Sequence, residues 1–308
     1  MYFYEYLKTC RDRFGLTQED LVSDLYHFDE SLFKSLDSVT LSRWELGKSH
    51  PNASKQVQII RYFQTRDDLI LPCFDGAGSE LIEKNICRNS IYNLFGKQTS
   101  FILNFPDSIS VDELTVHQIL ETNMINEMIN ITLDLNREFT HNHSLITAEQ
   151  LKEWMHYPHN MFLTCEYNKQ FFGLLYALRV KPDIFEKLMS FDIHVSDLVR
   201  DDFADMDEMG CSLIISFFAM NTKAATLLSI RYFTCLIVSQ KKIESVGALT
   251  MQKDAIRLME TINLSHYKSK DYESQITKQS FRAPLSDVLV NENIVRMLLA
   301  KDTCPKDD

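Results

Sequence analysis

The stretch Leu16–Pro51 constrains the fold of this chain more than any other, because it encodes two short helices close together. Thr17 is a good helix N-cap, and Asp20 stands three residues later, where an acidic residue completes a capping box. Apolar spacing predicts a second helix over Ser38–Glu45. Gly47 ends that helix, because glycine readily adopts the left-handed backbone of a C-terminal cap.

The second helix exposes hydroxyl groups and an arginine, and such a helix suits the major groove of DNA. With LTQ at 16–18 and TLSRWE at 40–45, the pattern resembles the Cro/C1-type (Xre family) helix-turn-helix. By position, the resemblance implies that Gln18 contacts a phosphate and that the recognition helix contacts bases or backbone. The DNA-binding residues predicted in this way are Gln18, Ser38, Thr40, Ser42, Arg43 and Lys48.

The segment His27–Asp37 departs from that family, whose two helices are joined by a tight turn. It contains Leu32, Phe33 and Leu36. We therefore expect it to lengthen the helix that begins near Gln18 or to add a turn of its own. The alternative to a DNA-binding unit is a helical hairpin with a purely structural role.

Length and charge indicate two dissimilar parts. The chain has 308 residues, of which 45% are apolar, so two packed domains are expected. The net charge is −11, yet residues 1–66 hold nine Lys/Arg and nine Asp/Glu and are neutral. A neutral DNA-binding part predicts modest affinity per copy, and a homodimer on two half-sites would compensate.

Composition also bears on compartment and metal content. No apolar run approaches the roughly 20 residues of a membrane span, and the first ten residues do not resemble an export signal. The seven cysteines are scattered. We therefore expect a cytoplasmic protein with no membrane partner, no cofactor and no metal site. The histidines interpreted as polar loop residues rather than metal ligands are His141, His143, His156 and His159.

From about residue 98, strand and helix patterns alternate, which predicts an α+β fold. The residues at 98–106 are predicted as a strand, and a long helical pattern runs from Val111 to Asn136. The sequence at 160–180 indicates a β-hairpin that turns at Glu166–Lys169. The other elements predicted are a Thr147-capped helix to Met155, strand Gly210–Met220, helix Thr222–Gln240, strand Ser245–Leu249 and helix Met251–Ile262.

This element order looks like the GNAT acyltransferase fold over about residues 98–290. The sharpest local resemblance lies in Gln252–Leu264, where the family commonly shows Asn-x-x-Ala-x-x-x-Tyr-x-x-x-Gly-Phe. Ala255 matches the alanine, whereas Met259 stands at the tyrosine position and Asn263 at the glycine position.

The resemblance implies an acetyl-CoA enzyme, but two expected features are missing. Backbone N–H groups of a Gly-rich turn would hold the pyrophosphate, and the corresponding stretch Ala219–Ala225 has no glycine. Met259 cannot protonate the leaving thiolate. Tyr232 and Tyr267 are possible substitutes and Glu166 is a possible general base, but each has a simpler structural interpretation. We therefore predict a catalytically degenerate domain without catalytic residues, which is not an enzyme.

Such a domain would retain a cleft where its two central strands diverge. A small molecule bound there would shift DNA binding by favouring one dimer arrangement. The ligand-binding residues predicted from the strand ends are Phe217, Phe218, Met220, Ser245 and Ala248.

The predicted organisation is a helix-turn-helix domain at 1–66, a linker and connecting helix at 67–97, and a GNAT-like domain at 98–308. The fold class is α+β, an all-α N-terminal domain followed by a mixed-sheet α/β domain. The predicted function is a sequence-specific transcription regulator whose partners are double-stranded DNA, a second copy of the chain and a small ligand. The alternatives are a bifunctional regulator with an active acetyl-CoA-dependent N-acyltransferase, and a peptide-pheromone receptor with a helical-repeat domain.

Overall fold

The computed structural model describes residues 2–66, 69–71, 74, 76–85, 101–104, 108–121, 125–139, 146–272 and 276–299. Contacts divide the chain into two compact units, Met1–Asn93 with Leu289–Asp308, and Leu94–Val288. The first unit is helical in its described part, and the second is built on a seven-stranded mixed sheet. The predicted α+β fold class is confirmed. None of the described helices is both long and apolar enough to cross a membrane.

Local sequence signals define the helices of the first unit. The capping box predicted at Thr17 is present, because Asp20 N donates to Thr17 Oγ1 at 3.1 Å and Thr17 N donates to Asp20 Oδ2 at 3.0 Å. The first six helices are α1 (Phe3–Arg13), α2 (Gln18–Phe28), α3 (Glu30–Phe33), α4 (Ser38–Glu45), α5 (Ala53–Gln64) and α6 (Ser79–Asn85).

The segment His27–Asp37 combines both expected outcomes. Helix α2 extends to Phe28, and the single turn of α3 follows. Phe33 is fully buried, and Asp37 caps α4 by accepting a hydrogen bond from Thr40 N at 2.7 Å. The extra residues therefore add apolar core and a capping residue between α2 and α4.

The C-terminal helix belongs to the first unit. Helix α13 (Glu292–Leu299) packs against α5, and its buried residues include Ile294 and Leu298. The sequence boundaries had grouped these residues with the 98–308 domain, so the contacts and the predicted boundaries differ here. The predicted connecting helix at 67–97 is described only as α6, and 86–97 lie outside the described residues.

The sheet of the second unit has the order β1-β2-β3-β4-β5-β7-β6, and β4 with β5 is its one parallel pair among the described strands. A right-handed crossover helix suits that parallel connection. The strands are β1 (Leu114–Gln118), β2 (Met161–Tyr167), β3 (Gln170–Val180), β4 (Gly210–Ala219), β5 (Ile243–Thr250), β6 (Ser265–Tyr272) and β7 (Ile276–Pro284).

Helices cover both faces of this sheet. Residues of α7, α8 and α9 share one apolar cluster with Tyr176 and Leu213, whereas Tyr232 of α10 contacts Ser212 of β4 on the opposite face. The helices are α7 (Ile125–Phe139), α8 (Ala148–Met155), α9 (Pro182–Met189), α10 (Thr222–Val238), α11 (Lys253–Thr261) and α12 (Leu285–Leu289).

The long helix predicted over Val111–Asn136 is wrong. Residues Leu114–Gln118 form edge strand β1, paired antiparallel with β2, and α7 begins only at Ile125. Helix-like apolar spacing in this stretch is overridden by pairing with a neighbouring strand, which a local pattern does not contain. The predicted hairpin is confirmed, and its turn residues Asn168 and Lys169 both have positive φ.

We predict that Gly247→Ala destabilises the second unit by about 1–3 kcal/mol, because it overpacks a filled core. A Cβ on Gly247 would lie 2.6 Å from Phe185 Cζ and 3.0 Å from Met189 Sδ. Hydrogen exchange of β5 amides at increasing urea measures the loss. Gly78→Ala is the control, because a Cβ there meets nothing within 4 Å. Equal exchange in the two variants would contradict the prediction.

Candidate functional site

The central strands β4 and β5 separate at a β-bulge in β4. Two successive residues of β3 face Ser216 and Ile214, so Ile215 is an extra residue in β4. Parallel pairing with β5 ends where Ile214 lies opposite Ala248. Because a bulge bends its strand and increases the local twist, β4 turns away from β5 beyond this point. A cleft opens between the carboxyl halves of the two strands.

The cleft is mostly apolar. Side chains from β4, β5 and α11 enclose a cavity of about 110 Å³, among them Phe217, Leu249 and Met259. A second, apolar cavity of about 40 Å³ shares Phe217 and Met259 with it and extends to Tyr232 on α10. The polar residues that line the larger cavity are Asn136, Ser216, Thr250, Gln252 and Lys278.

Segment Phe101–Leu103 is hydrogen-bonded to the part of β4 that has separated from β5. Ala219 N donates to the Phe101 carbonyl, and Leu103 N donates to the Ala219 carbonyl, both at 2.9 Å. The Phe101 ring lies 6.0 Å from that of Phe217, and both side chains line the cavity. The carboxyl end of β4 is therefore paired at Ala219, and Phe101 bounds the cleft there.

The stretch Ala219–Ala225 contains the N-terminus of α10, which is capped by a side chain of the same stretch. Asn221 Oδ1 accepts a hydrogen bond from Ala224 N at 2.9 Å, which caps α10. Lys223, in the first turn of that helix, donates from Nζ to the Ile109 carbonyl at 2.8 Å. The lysine is therefore held by the protein's own backbone.

The two tyrosines that could act as proton donors in place of residue 259 lie in different environments. Tyr232 is fully buried on α10, its hydroxyl is 2.9 Å from Ser212 Oγ, and burial raises its pKa. Tyr267 is exposed beneath the Arg282 guanidinium, whose carbon lies 3.9 Å from the ring centroid. Of these tyrosines, Tyr232 alone borders one of the two cavities.

Glu166 is not a solvated turn carboxylate. It is buried near the end of β2, and its Oε1 lies 3.2 Å from Nε2 of His117 on β1. It therefore forms a buried acid–imidazole contact two strands away from β4 in the sheet order.

The predicted ligand residues divide between the two faces of the sheet. Phe217 and Ala248 line the cleft. Phe218 stacks on Phe171 at 6.1 Å within the opposite apolar cluster, and Met220 packs against the same cluster. Ser245 lies opposite Pro284 in the pairing of β5 with β7. The structure brings two of the five residues together, and their ligand-binding role stays a prediction.

Sequence reasoning missed Asn136 and Lys278. Asn136 lies on α7, and Lys278 lies on β7, so neither belongs to β4 or β5 or to the segments that directly follow them. The available signal was a lysine inside the otherwise uncharged run ITKQSF at 276–281. A lysine in a strand indicates a binding site only when the residues on the neighbouring strands are known.

The predicted DNA-binding residues are spread over α2, α4 and the turn that follows. Arg43 and Lys48 are exposed, and Ser38, Thr40 and Ser42 are half-buried. Apolar Val39 and Leu46 are also exposed, at 58% and 62%. Buried Leu41 and Trp44 hold the opposite side of α4 against the core.

A buried polar cluster fixes Gln18. Glu45 is 7% exposed and accepts hydrogen bonds from Arg11 Nε at 2.5 Å and from Gln18 Nε2 at 2.7 Å. Arg11 also donates to the Leu16 carbonyl at 2.8 Å, and pairing with Glu45 raises the pKa of Arg11. The cluster joins α1, α2 and α4, so the Gln18 amide is oriented by a carboxylate.

Comparison with known proteins finds the fold but no family. No protein-family model and no curated protein matches the chain. An N-acetyltransferase from Staphylococcus aureus Mu50 matches with TM-score 0.37 and 12% identity, over 56% of this chain and 97% of that one. The loading GNATL domain of CurA from Lyngbya majuscula gives 0.41 and 12%, over 56% and 98%. FeeM, an N-acyl amino acid synthase from uncultured soil microbes, gives 0.41 and 6%, over 58% and 94%.

The C-terminal region thus resembles the GNAT acetyltransferase fold, and the N-terminal helices are compatible with a helix-turn-helix. The prediction that the chain is not an enzyme is contradicted, because structures of this fold are described as N-acetyltransferases and an N-acyl amino acid synthase. That prediction rested on two missing motif features, the glycines near Ala219–Ala225 and a tyrosine in place of Met259. Backbone N–H groups do not require a particular side chain, and a proton donor need not sit on α11.

We predict that Glu45→Ala destabilises the first unit by about 1–3 kcal/mol, because Arg11 and Gln18 lose their shared acceptor and Arg11 keeps only the exposed Asp12 as an ion-pair partner among the described residues. Hydrogen exchange of α1 and α4 amides in urea measures the effect. Glu19→Ala removes an exposed carboxylate from α2 and serves as the control. A loss no larger than that of the control would show that the cluster contributes little.

Proposed function

We propose that the second unit is an N-acyltransferase that moves an acyl group from a thioester to an amine. The observation that carries this proposal is the separation of β4 from β5 at Ile215, which opens an apolar cleft between two strand edges. An acyl chain favours apolar walls, and backbone N–H groups of a separated strand suit a developing oxyanion.

The reaction needs little beyond positioning. The amine nitrogen attacks the thioester carbon, the C–N bond forms, and the C–S bond then breaks to release a thiol. The proton lost by the amine is balanced by the proton that the thiolate gains. Holding two reactants in line supplies much of the rate enhancement of such a step. The cleft supports this role through walls supplied by β4, β5 and α11.

Incubation of the full chain with acyl-CoA donors of several chain lengths and a mixed amine panel tests the proposal, with amide products detected by mass spectrometry. Acyl carrier protein thioesters form a second donor arm. Amide formation above the rate without enzyme is the expected result. The absence of product with every donor would refute acyl transfer.

We predict that Ala255→Leu lowers kcat/KM for acyl transfer by about tenfold or more, because it fills the cleft where reactants must be aligned. Ala255 is half-buried and lines the cavity from α11. Ala53→Leu, at the half-buried first position of α5, is the matched control. Equal activity in both variants would place the reaction elsewhere.

For the first unit we propose binding of double-stranded DNA through α4, as a homodimer on two half-sites. Support comes from the exposed Arg43 and Lys48 beside hydroxyl side chains, on a helix that buried Leu41 and Trp44 fix in place. An Arg beside small polar side chains suits direct contact with base edges. The complete protein would then be a cytoplasmic DNA-binding regulator that carries an acyltransferase, as in the bifunctional alternative above.

We predict that Arg43→Ala reduces the affinity for a selected operator by about tenfold or more, because a bidentate base contact contributes about 1–3 kcal/mol of discrimination. Operators are selected from random duplexes, and affinity is measured by fluorescence anisotropy at fixed salt. Lys8→Ala removes an equal charge from an exposed position of α1 and controls for general electrostatics. Unchanged affinity and specificity in Arg43→Ala would show that α4 is not the recognition helix.

A further inference from the structure

Lys278 is the only charged side chain among the described residues that line the larger cavity. It lies on β7, next to Gln279, which is opposite Thr250 at the end of β5. The remaining lining is apolar or neutral, and no described lining residue is Asp or Glu. The described lining of the cleft therefore presents one positive charge and no negative charge to whatever enters it.

Among the residues that the structure describes, no carboxylate pairs with Lys278. Lys270 of β6 lies directly opposite in the strand pairing, and like charges at such positions destabilise a sheet. Burial and the nearby Lys270 charge both lower the pKa of Lys278. Lys187, by contrast, has its Nζ 3.5 Å from Asp183 Oδ2. A lysine that lines a cavity and lies opposite a second lysine is an arrangement that a bound anion would stabilise.

We propose that Lys278 binds a carboxylate of the acyl acceptor, so that the substrate of the proposed acyl transfer is an amino acid or a related amino-carboxylate. This inference rests on the proposed function and names its substrate class. An ammonium–carboxylate hydrogen bond is charge-assisted and strong where water is partly excluded. A polyamine acceptor would instead require carboxylates in the cleft, and the described lining has none.

The apolar walls agree with the same substrate class. Leu249 and Met259 line the cavity together with Lys278 and Asn136. An amino-carboxylate with an apolar side chain therefore finds a cation, an amide and an apolar surface in one cavity. Charge at one end with apolar contacts elsewhere is the usual composition of a small-molecule site.

A binding experiment tests the proposal without turnover. N-hexanoyl-phenylalanine, a product of the proposed class, and its uncharged primary amide are titrated calorimetrically into the full-length protein. We expect the carboxylate to bind about tenfold or more tightly, as a charge-assisted hydrogen bond allows. Lys278→Met should abolish the preference, and Lys278→Arg should retain most of it. Lys253→Met, at an exposed lysine that begins α11, should leave it unchanged.

Equal binding of acid and amide, or no binding of either, would overturn the proposal. Loss of the preference in both Lys278→Met and Lys253→Met would also overturn it, because the effect would then be general electrostatics. Coenzyme A is titrated into the same two proteins. If Lys278→Met binds coenzyme A more weakly than the wild type but still prefers the acid over the amide, the lysine contacts a phosphate of the donor. That result would also overturn the proposal.

Kinetics separate this inference from the proposed function. Phenylalanine and phenethylamine differ only in the carboxylate, and we expect Lys278→Met to raise KM for phenylalanine by a larger factor than KM for phenethylamine. Transfer to phenethylamine as efficient as to phenylalanine in the wild type would refute the inference and retain the acyltransferase. Carboxylate-dependent binding without amide formation from any donor would refute the acyltransferase and retain the carboxylate site.

Discussion

The arrangement of the second unit depends on the end of the hydrogen bonding between β4 and β5 at Ile214 and Ala248. A continuous parallel pair would leave no space between the strands. One extra residue, Ile215, bends β4 and separates the two strand edges. Buried backbone groups need partners, and at Ala219 the chain meets that need with its own segment Phe101–Leu103. Cavity, lining and proposed chemistry all follow from this single irregularity.

The two units use buried polar groups in different ways. In the first unit Glu45 satisfies Arg11 and Gln18 together, so three helices are held by one carboxylate. In the second unit Lys278 lies opposite Lys270 of the neighbouring strand β6, which carries the same charge. The described lining of the cavity contains no carboxylate that could pair with Lys278. A satisfied polar cluster specifies a fold, whereas an unsatisfied charge beside a cavity indicates a site for a ligand.

The incorrect inference of a non-enzyme has a physical explanation. The motif glycines and tyrosine are particular side chains, whereas the backbone conformation that they usually support can be adopted by other residues. Asn263 illustrates the point, because it stands at the glycine position of the motif and still adopts φ +63° at the end of α11. Asparagine tolerates that conformation, so the helix cap survives without glycine. Loss of a motif residue therefore does not mean loss of the geometry that the residue usually supports.

By itself the sequence determined what depends on neighbours within about four residues. The capping boxes at Thr17 and Thr147, the span of α4 and the β2–β3 turn are all of this kind, because a helix start or a tight turn is decided by local hydrogen bonds. Only the tertiary structure decided that Leu114–Gln118 is a strand, that Ile215 is a bulge and that Lys278 enters the cleft. Each of these depends on strand register, which is set by partners far away in the chain, and a shift of one residue reverses the face that every side chain occupies.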